Sequence, residues 1–88
     1  MIVWTQYLKY RARLRGFQLP QLEHIVRDSG ERYLDTETGR TIEVGRYDTR
    51  LVMVAYGVEG DAVTLVTVHA ITRQQIRYRE PTERFIRE

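Results

Sequence analysis

The chain has 88 residues, enough for one small domain whose single core buries roughly 60–65% of the surface exposed by the unfolded chain. With 42% hydrophobic and 30% charged residues it has a globular rather than a disordered composition, and the absence of cysteine excludes disulfides and thiolate metal sites and fits a reducing cytoplasm. The start "MIVWTQ" has too short an apolar run for a signal peptide, and the longest run, "LVMVAYGV" at 51–58, is well below the ~20 residues of a membrane span, so the expectation is a soluble, cytoplasmic protein.

Taken in chain order, Thr5 is placed to cap a first helix that Gly16 ends, since glycine accepts the positive φ of a helix C-terminus. Pro20 suits the first turn of a second helix, with Leu22, Ile25 and Val26 at helical spacing and "DSG" closing it. From Glu31 the pattern becomes β-like. The runs "RYLD", "RTIEV", "RLVMVAYGV" and "AVTLVTVHA" are separated by the turn sequences "TETG", "GRYDT" and "EGD". This predicts a four-stranded antiparallel meander, with the third and fourth strands central. Strict alternation on the last strand puts Val63, Leu65, Thr67 and His69 on one face and Thr64, Val66, Val68 and Ala70 on the other. "ITRQQIRYRE" fits a short third helix, and 81–88 reads as a flexible tail. The expected fold class is α+β, two N-terminal helices packed on one face of a four-stranded antiparallel sheet, as a single domain over 1–80.

The net charge is only +2, but its distribution is uneven. Residues 1–16 carry four cations and no acid, and residues 71–79 three cations and no acid. If the fold joins these segments they form one positive face, the footprint of a nucleic-acid binder; the alternative is two solvated basic helices. On a helical wheel with Trp4 at the origin, the apolar arc takes in Tyr7, Leu8, Ala12 and Leu14. Lys9 and Arg13 face away from it, whereas Arg11 and Arg15 fall within it. An apolar setting is costly for a guanidinium. These two arginines must therefore pair with an acid such as Asp35 or Glu43, snorkel to an edge, or line a cleft between helix and sheet.

The spacing Tyr7, Arg11, Arg15, Gly16, followed by "YLDTETGRTIEV" and "VMVAYGVEGDAVTLVTVHA", resembles a small toxin-like family, domain of unknown function 4258, over residues 5–79. The resemblance implies a relative of the RelE, colicin and barnase group of metal-independent ribonucleases, with a small cognate antitoxin as partner and RNA as substrate. It implies site roles for Arg11, Arg15, Thr67 and His69. Tyr7 stands where the family pattern has histidine.

Metal-free RNA cleavage needs a proton acceptor for the 2′-hydroxyl, a proton donor for the leaving oxygen, and positive charge at the phosphoryl oxygens. Arg11 and Arg15 suit the last role, because a guanidinium can bind phosphate in a planar fork. His69 suits proton transfer, being the residue type that titrates near neutrality, and Tyr7 is a second candidate for proton transfer or for base stacking. Lys9, Arg13, Arg73 and Arg77 are candidate RNA phosphate contacts. His24 reads as solvated, and Tyr56, Tyr78 and Trp4 as core or edge packing. With two histidines and no cysteine, no metal site and no cofactor is expected, and phosphate-loop, dinucleotide, serine-nucleophile and zinc-hydrolase motifs are all missing. The expected function is an endoribonuclease toxin. A non-catalytic RNA-binding module and a protein-interaction domain that uses the same basic cleft are the alternatives, and a homodimer is left open.

Overall fold

The computed structural model describes all residues, 1–88, as a mixed α+β domain. Strand β1 (Ile2–Trp4) leads into helices α1 (Gln6–Arg15) and α2 (Leu19–Asp28). Strands β2 (Glu31–Asp35), β3 (Thr41–Tyr47), β4 (Arg50–Glu59) and β5 (Ala62–Ala70) follow, then helix α3 (Arg73–Arg79) and strand β6 (Phe85–Arg87). The sheet has six strands in the order β1-β5-β4-β3-β2-β6. The meander β2 to β5 forms its centre, roughly as expected. Both chain ends add an edge strand, β1 running parallel to β5 and β6 antiparallel to β2.

Local chemistry accounts for the element ends. The Thr5 hydroxyl accepts from the Leu8 amide at 3.1 Å, and Gly16 closes α1 with φ 77°. Pro20 lies in the first turn of α2, where its missing N–H costs nothing. Thr72 and Gln75 form a reciprocal capping box at the start of α3. In the turn between β2 and β3, Asp35 Oδ1 accepts from the amides of Glu37 and Thr38.

Apolar side chains pack on both faces of the sheet. On one, Leu8, Ala12, Leu22, Ile25 and Val26 of the first two helices meet Val52, Val54, Tyr56, Leu65 and Val68. On the other, Ile76 of α3 packs with Tyr33, Ile42, Val44, Met53, Ala55 and Phe85. Gly45 of β3 lets α2 approach closely, since a Cβ there would stand 2.7 Å from Ile25 Cγ2.

Three expectations require correction. The sheet has six strands rather than four, because the three-residue segments β1 and β6 complete its edges. The expected tail at 81–88 instead carries β6, anchored by the burial of Phe85 against Tyr33. On α1 only Leu8 and Ala12 reach the core, Trp4 belongs to β1, and Tyr7, Tyr10 and Leu14 are exposed.

Candidate functional site

A bulge in β5 decides which way the candidate residues point. Tyr56 pairs with Leu65 and Ala55 with Thr67, so Val66 is an extra residue. Leu65 and Val68 consequently both face α1, whereas Thr67 and His69 face the α3 side beside Ala55 and Met53. The strict alternation expected from the sequence therefore fails at Val66. Thr67 and His69 line a small cavity of about 170 Å³ together with Arg79, Arg84 and Arg40.

Beyond Leu65, β5 has no strand paired on its outer side, because β1 ends at Trp4, and the Thr5 hydroxyl donates to the Val66 carbonyl at 3.3 Å. Helix α1 packs beside this segment, and Arg11 reaches past the open edge to the other face. Its Nη2 donates to His69 Nδ1 at 3.2 Å. A guanidinium has donors only, so Nδ1 holds the lone pair and Nε2 carries the proton of the neutral ring. Burial, followed by the charges of Arg11, Arg15 and Arg79, holds the His69 pKa below the usual histidine range. Arg11 Nε is buried and has no hydrogen-bond partner.

The acids that could neutralise these cations are engaged elsewhere. Glu43, fully buried, accepts from Arg32 Nε at 3.0 Å, Tyr56 OH at 2.8 Å and Ser29 Oγ at 2.7 Å. Asp35 is held by Arg84, which also pairs with Glu37. Internal pairing of Arg11 or Arg15 with Asp35 or Glu43 is thereby ruled out. Of the three half-buried arginines, Arg84 has two carboxylate partners, whereas Arg11 and Arg79 have none. Both of the unpaired ones act on His69.

The remaining sequence candidates separate by position. Tyr7 is exposed, and its ring centroid lies 5.8 Å from Arg11 Cζ. Arg15 is exposed but close enough to bias His69. Lys9 and Arg13 lie on the exposed side of α1. Arg73 is committed to an ion pair with Glu31, while Arg77 is exposed and unpaired. His24 is exposed and pairs with Asp28 at 3.0 Å. Tyr56 belongs to the core, Trp4 packs at its edge, and Tyr78 is 74% exposed, contrary to the packing role expected of it. Nothing on α3 buries the Tyr78 ring, because the helix turns Ile76 toward the sheet.

Arg79 is the site residue that sequence reasoning misses. The signal for it is the Ile76 to Arg79 spacing: Ile76 is the buried residue of α3, and a residue three positions on shares its side of the helix. No three His, Cys, Asp or Glu side chains group together as a metal-binding set. No helix is long and apolar enough to cross a membrane.

Comparison with protein-family models finds no match for this chain. No curated protein and no solved structure matches it either.

Proposed function

We propose that this domain is a metal-independent endoribonuclease that cleaves RNA at the cavity of His69, and that it acts as a toxin neutralised by a small cognate antitoxin. One observation carries the reading: Arg11 and Arg79, half-buried and without a carboxylate, flank a histidine held neutral. Unpaired cations in such a setting are costly, and a phosphate would satisfy them. The resemblance of the Tyr7 to Gly16 segment and the last long strand to the toxin-like family supports the same reading.

In the proposed reaction, Arg11 swings from His69 to a non-bridging phosphoryl oxygen. The move frees Nδ1, and the arriving anion raises the affinity of the ring for a proton. Nδ1 then accepts the proton of the 2′-hydroxyl as its oxygen attacks phosphorus. The bond from phosphorus to the 5′-oxygen breaks, and that oxygen takes a proton from the Tyr7 hydroxyl or from water. A 2′,3′-cyclic phosphate and a 5′-hydroxyl result. Arg11, Arg79 and, from the rim, Arg15 neutralise the charge that grows on the phosphoryl oxygens, with the Thr67 hydroxyl beside them.

A non-catalytic RNA-binding module is the second reading, favoured by the exposed Tyr7 in the place of a histidine. Single-turnover incubation with labelled RNA in EDTA separates the two. Cleavage to cyclic-phosphate ends by the wild type and its loss in Arg11→Gln support the nuclease, whereas tight binding without cleavage favours the module. Growth arrest on expression, relieved by co-expression of a neighbouring small gene, tests the toxin assignment.

A further inference from the structure

Beside the His69 cavity runs a larger groove, of about 890 Å³, between α3 and the turn that joins β2 to β3. Arg79 and Arg84 line both spaces, so the two adjoin. We propose that this groove is a nucleobase subsite in which the Tyr78 ring stacks on the base of a nucleotide next to the phosphate held at His69. The inference rests on the reading of RNA as the substrate.

The lining favours a base over a second phosphate. Tyr78 is its one hydrophobic residue and leaves 74% of its surface exposed on a helix whose apolar side is already occupied by Ile76. Gln74, one turn before Tyr78, is exposed and offers an amide with both a donor and an acceptor, as hydrogen bonding to a base edge requires. On the opposite wall Glu37 is an anion bound to Arg84 Nη1 at 2.9 Å. The cation without an acid is Arg79, where the groove meets the cavity. A phosphate is therefore drawn to the inner end, and the neutral, flat part of the nucleotide is left for the space beside Tyr78. The volume is in the range of small-ligand pockets and accommodates a base with its ribose.

The test uses binding, so that it does not depend on catalysis. Fluorescence anisotropy would be measured with the full chain and a short RNA made uncleavable by 2′-deoxy substitution, alongside the same strand with a single abasic nucleotide scanned through it. Tyr78→Ala is expected to weaken binding of the intact strand about tenfold, as loss of one base–aromatic stack does, while Tyr78→Phe restores it. One abasic position should weaken the wild type equally and cost Tyr78→Ala nothing more. Equal binding by the wild type and Tyr78→Ala, or a loss that is the same for every abasic strand, overturns the subsite. A protein that shows the Tyr78-dependent difference but never cleaves RNA keeps the subsite and loses the nuclease assignment.

Discussion

Arg84 grips Asp35 through two contacts, Nε to Oδ1 at 2.8 Å and Nη2 to Oδ2 at 3.2 Å, and this pairing leaves Arg79, its half-buried neighbour in the cavity wall, without an acid, as is the exposed Arg40. Arg79 instead stacks on the Phe85 ring, 5.1 Å from its centroid, with Nη1 toward the Met53 sulfur. The two arginines should respond differently to substitution. Arg79→Gln is expected to slow single-turnover RNA cleavage by about 10²-fold, the usual loss when one charge-stabilising donor is removed, with little change in urea midpoint. Arg84→Gln should cost about 1–2 kcal/mol of stability while leaving cleavage per folded molecule near the wild-type rate. Equal effects on rate would remove Arg79 from the site.

In the proposed reaction His69 carries the pH dependence. Burial, with Arg11, Arg15 and Arg79, lowers its pKa, so the ring loses its proton at a lower pH than a free histidine, whose value is about 6.5. A general base must be unprotonated, so kcat/KM should rise with pH through this lowered pKa, with its midpoint below that of a free histidine. Arg11→Gln removes one of the lowering charges and should move the His69 titration upward when followed by NMR. The same group contributes to stability with a definite sign. Between the lowered folded pKa and the unfolded value the unfolded chain binds more protons, so stability falls as pH drops through that window. His69→Ala should reduce cleavage by about 10²–10⁴ and remove this pH dependence of stability.

Much of the fold is legible in particular residues, and what escapes has physical causes. Thr5, Gly16 and Pro20 mark the first two helices, and the turn sequences after Asp35 and Glu59 separate the long strands. The edge strands Ile2–Trp4 and Phe85–Arg87 are too short to show a period of two. No residue type announces the bulge at Val66, although it sends Thr67 and His69 to the face of α3. The wheel finds Arg11, but it overestimates the apolar arc, because exposed Tyr7 and Leu14 look like core on an unplaced helix. Arg79 escapes for a related reason: the four-residue spacing of Arg73 and Arg77 draws notice, yet one is bound to Glu31 and the other is solvated.

Glu43 tests the frame rather than the site. It lies opposite Arg32 in the register of β2 and β3 and binds the hydroxyls of Ser29 and Tyr56, linking α2, β2, β3 and β4. Glu43→Ala should destabilise the domain by about 3 kcal/mol, because two hydroxyls lose their acceptor where water has poor access. Glu43→Gln keeps an acceptor and should cost about half as much. Urea unfolding of the two variants measures the difference, and a neutral Glu43→Ala would show that the network contributes no net stability.

Gly45 makes a steric prediction. A methyl group there meets Ile25 Cγ2 at 2.7 Å, with Ser29 Cβ at 3.2 Å, so Gly45→Ala must push α2 off β3 or force Ile25 into another rotamer. The expected cost is about 1–3 kcal/mol, as for other overpacked cores. A Gly45→Ala protein as stable as the wild type would mean that α2 shifts freely.

The cations of α1 provide the sharpest comparison, because one helix presents two kinds. Lys9 and Arg13 are exposed on its outer side, whereas Arg11 reaches His69 and Arg15 acts on the same ring from the rim. Outer charges attract the RNA backbone at long range, an effect that salt screens. Neutralising both with Lys9→Gln and Arg13→Gln should therefore weaken RNA association and flatten its salt dependence by a log–log slope of about 1.4, the value for two contacts to a single strand. Cleavage of bound RNA should stay near the wild-type rate. Arg11→Gln with Arg15→Gln should do the reverse, lowering the single-turnover rate at saturating RNA by about 10³-fold or more, since in the proposed reaction these groups oppose charge that is greatest in the transition state. Matching profiles for the two double variants would mean that α1 offers one undifferentiated basic surface, and binding without chemistry would then be the better description.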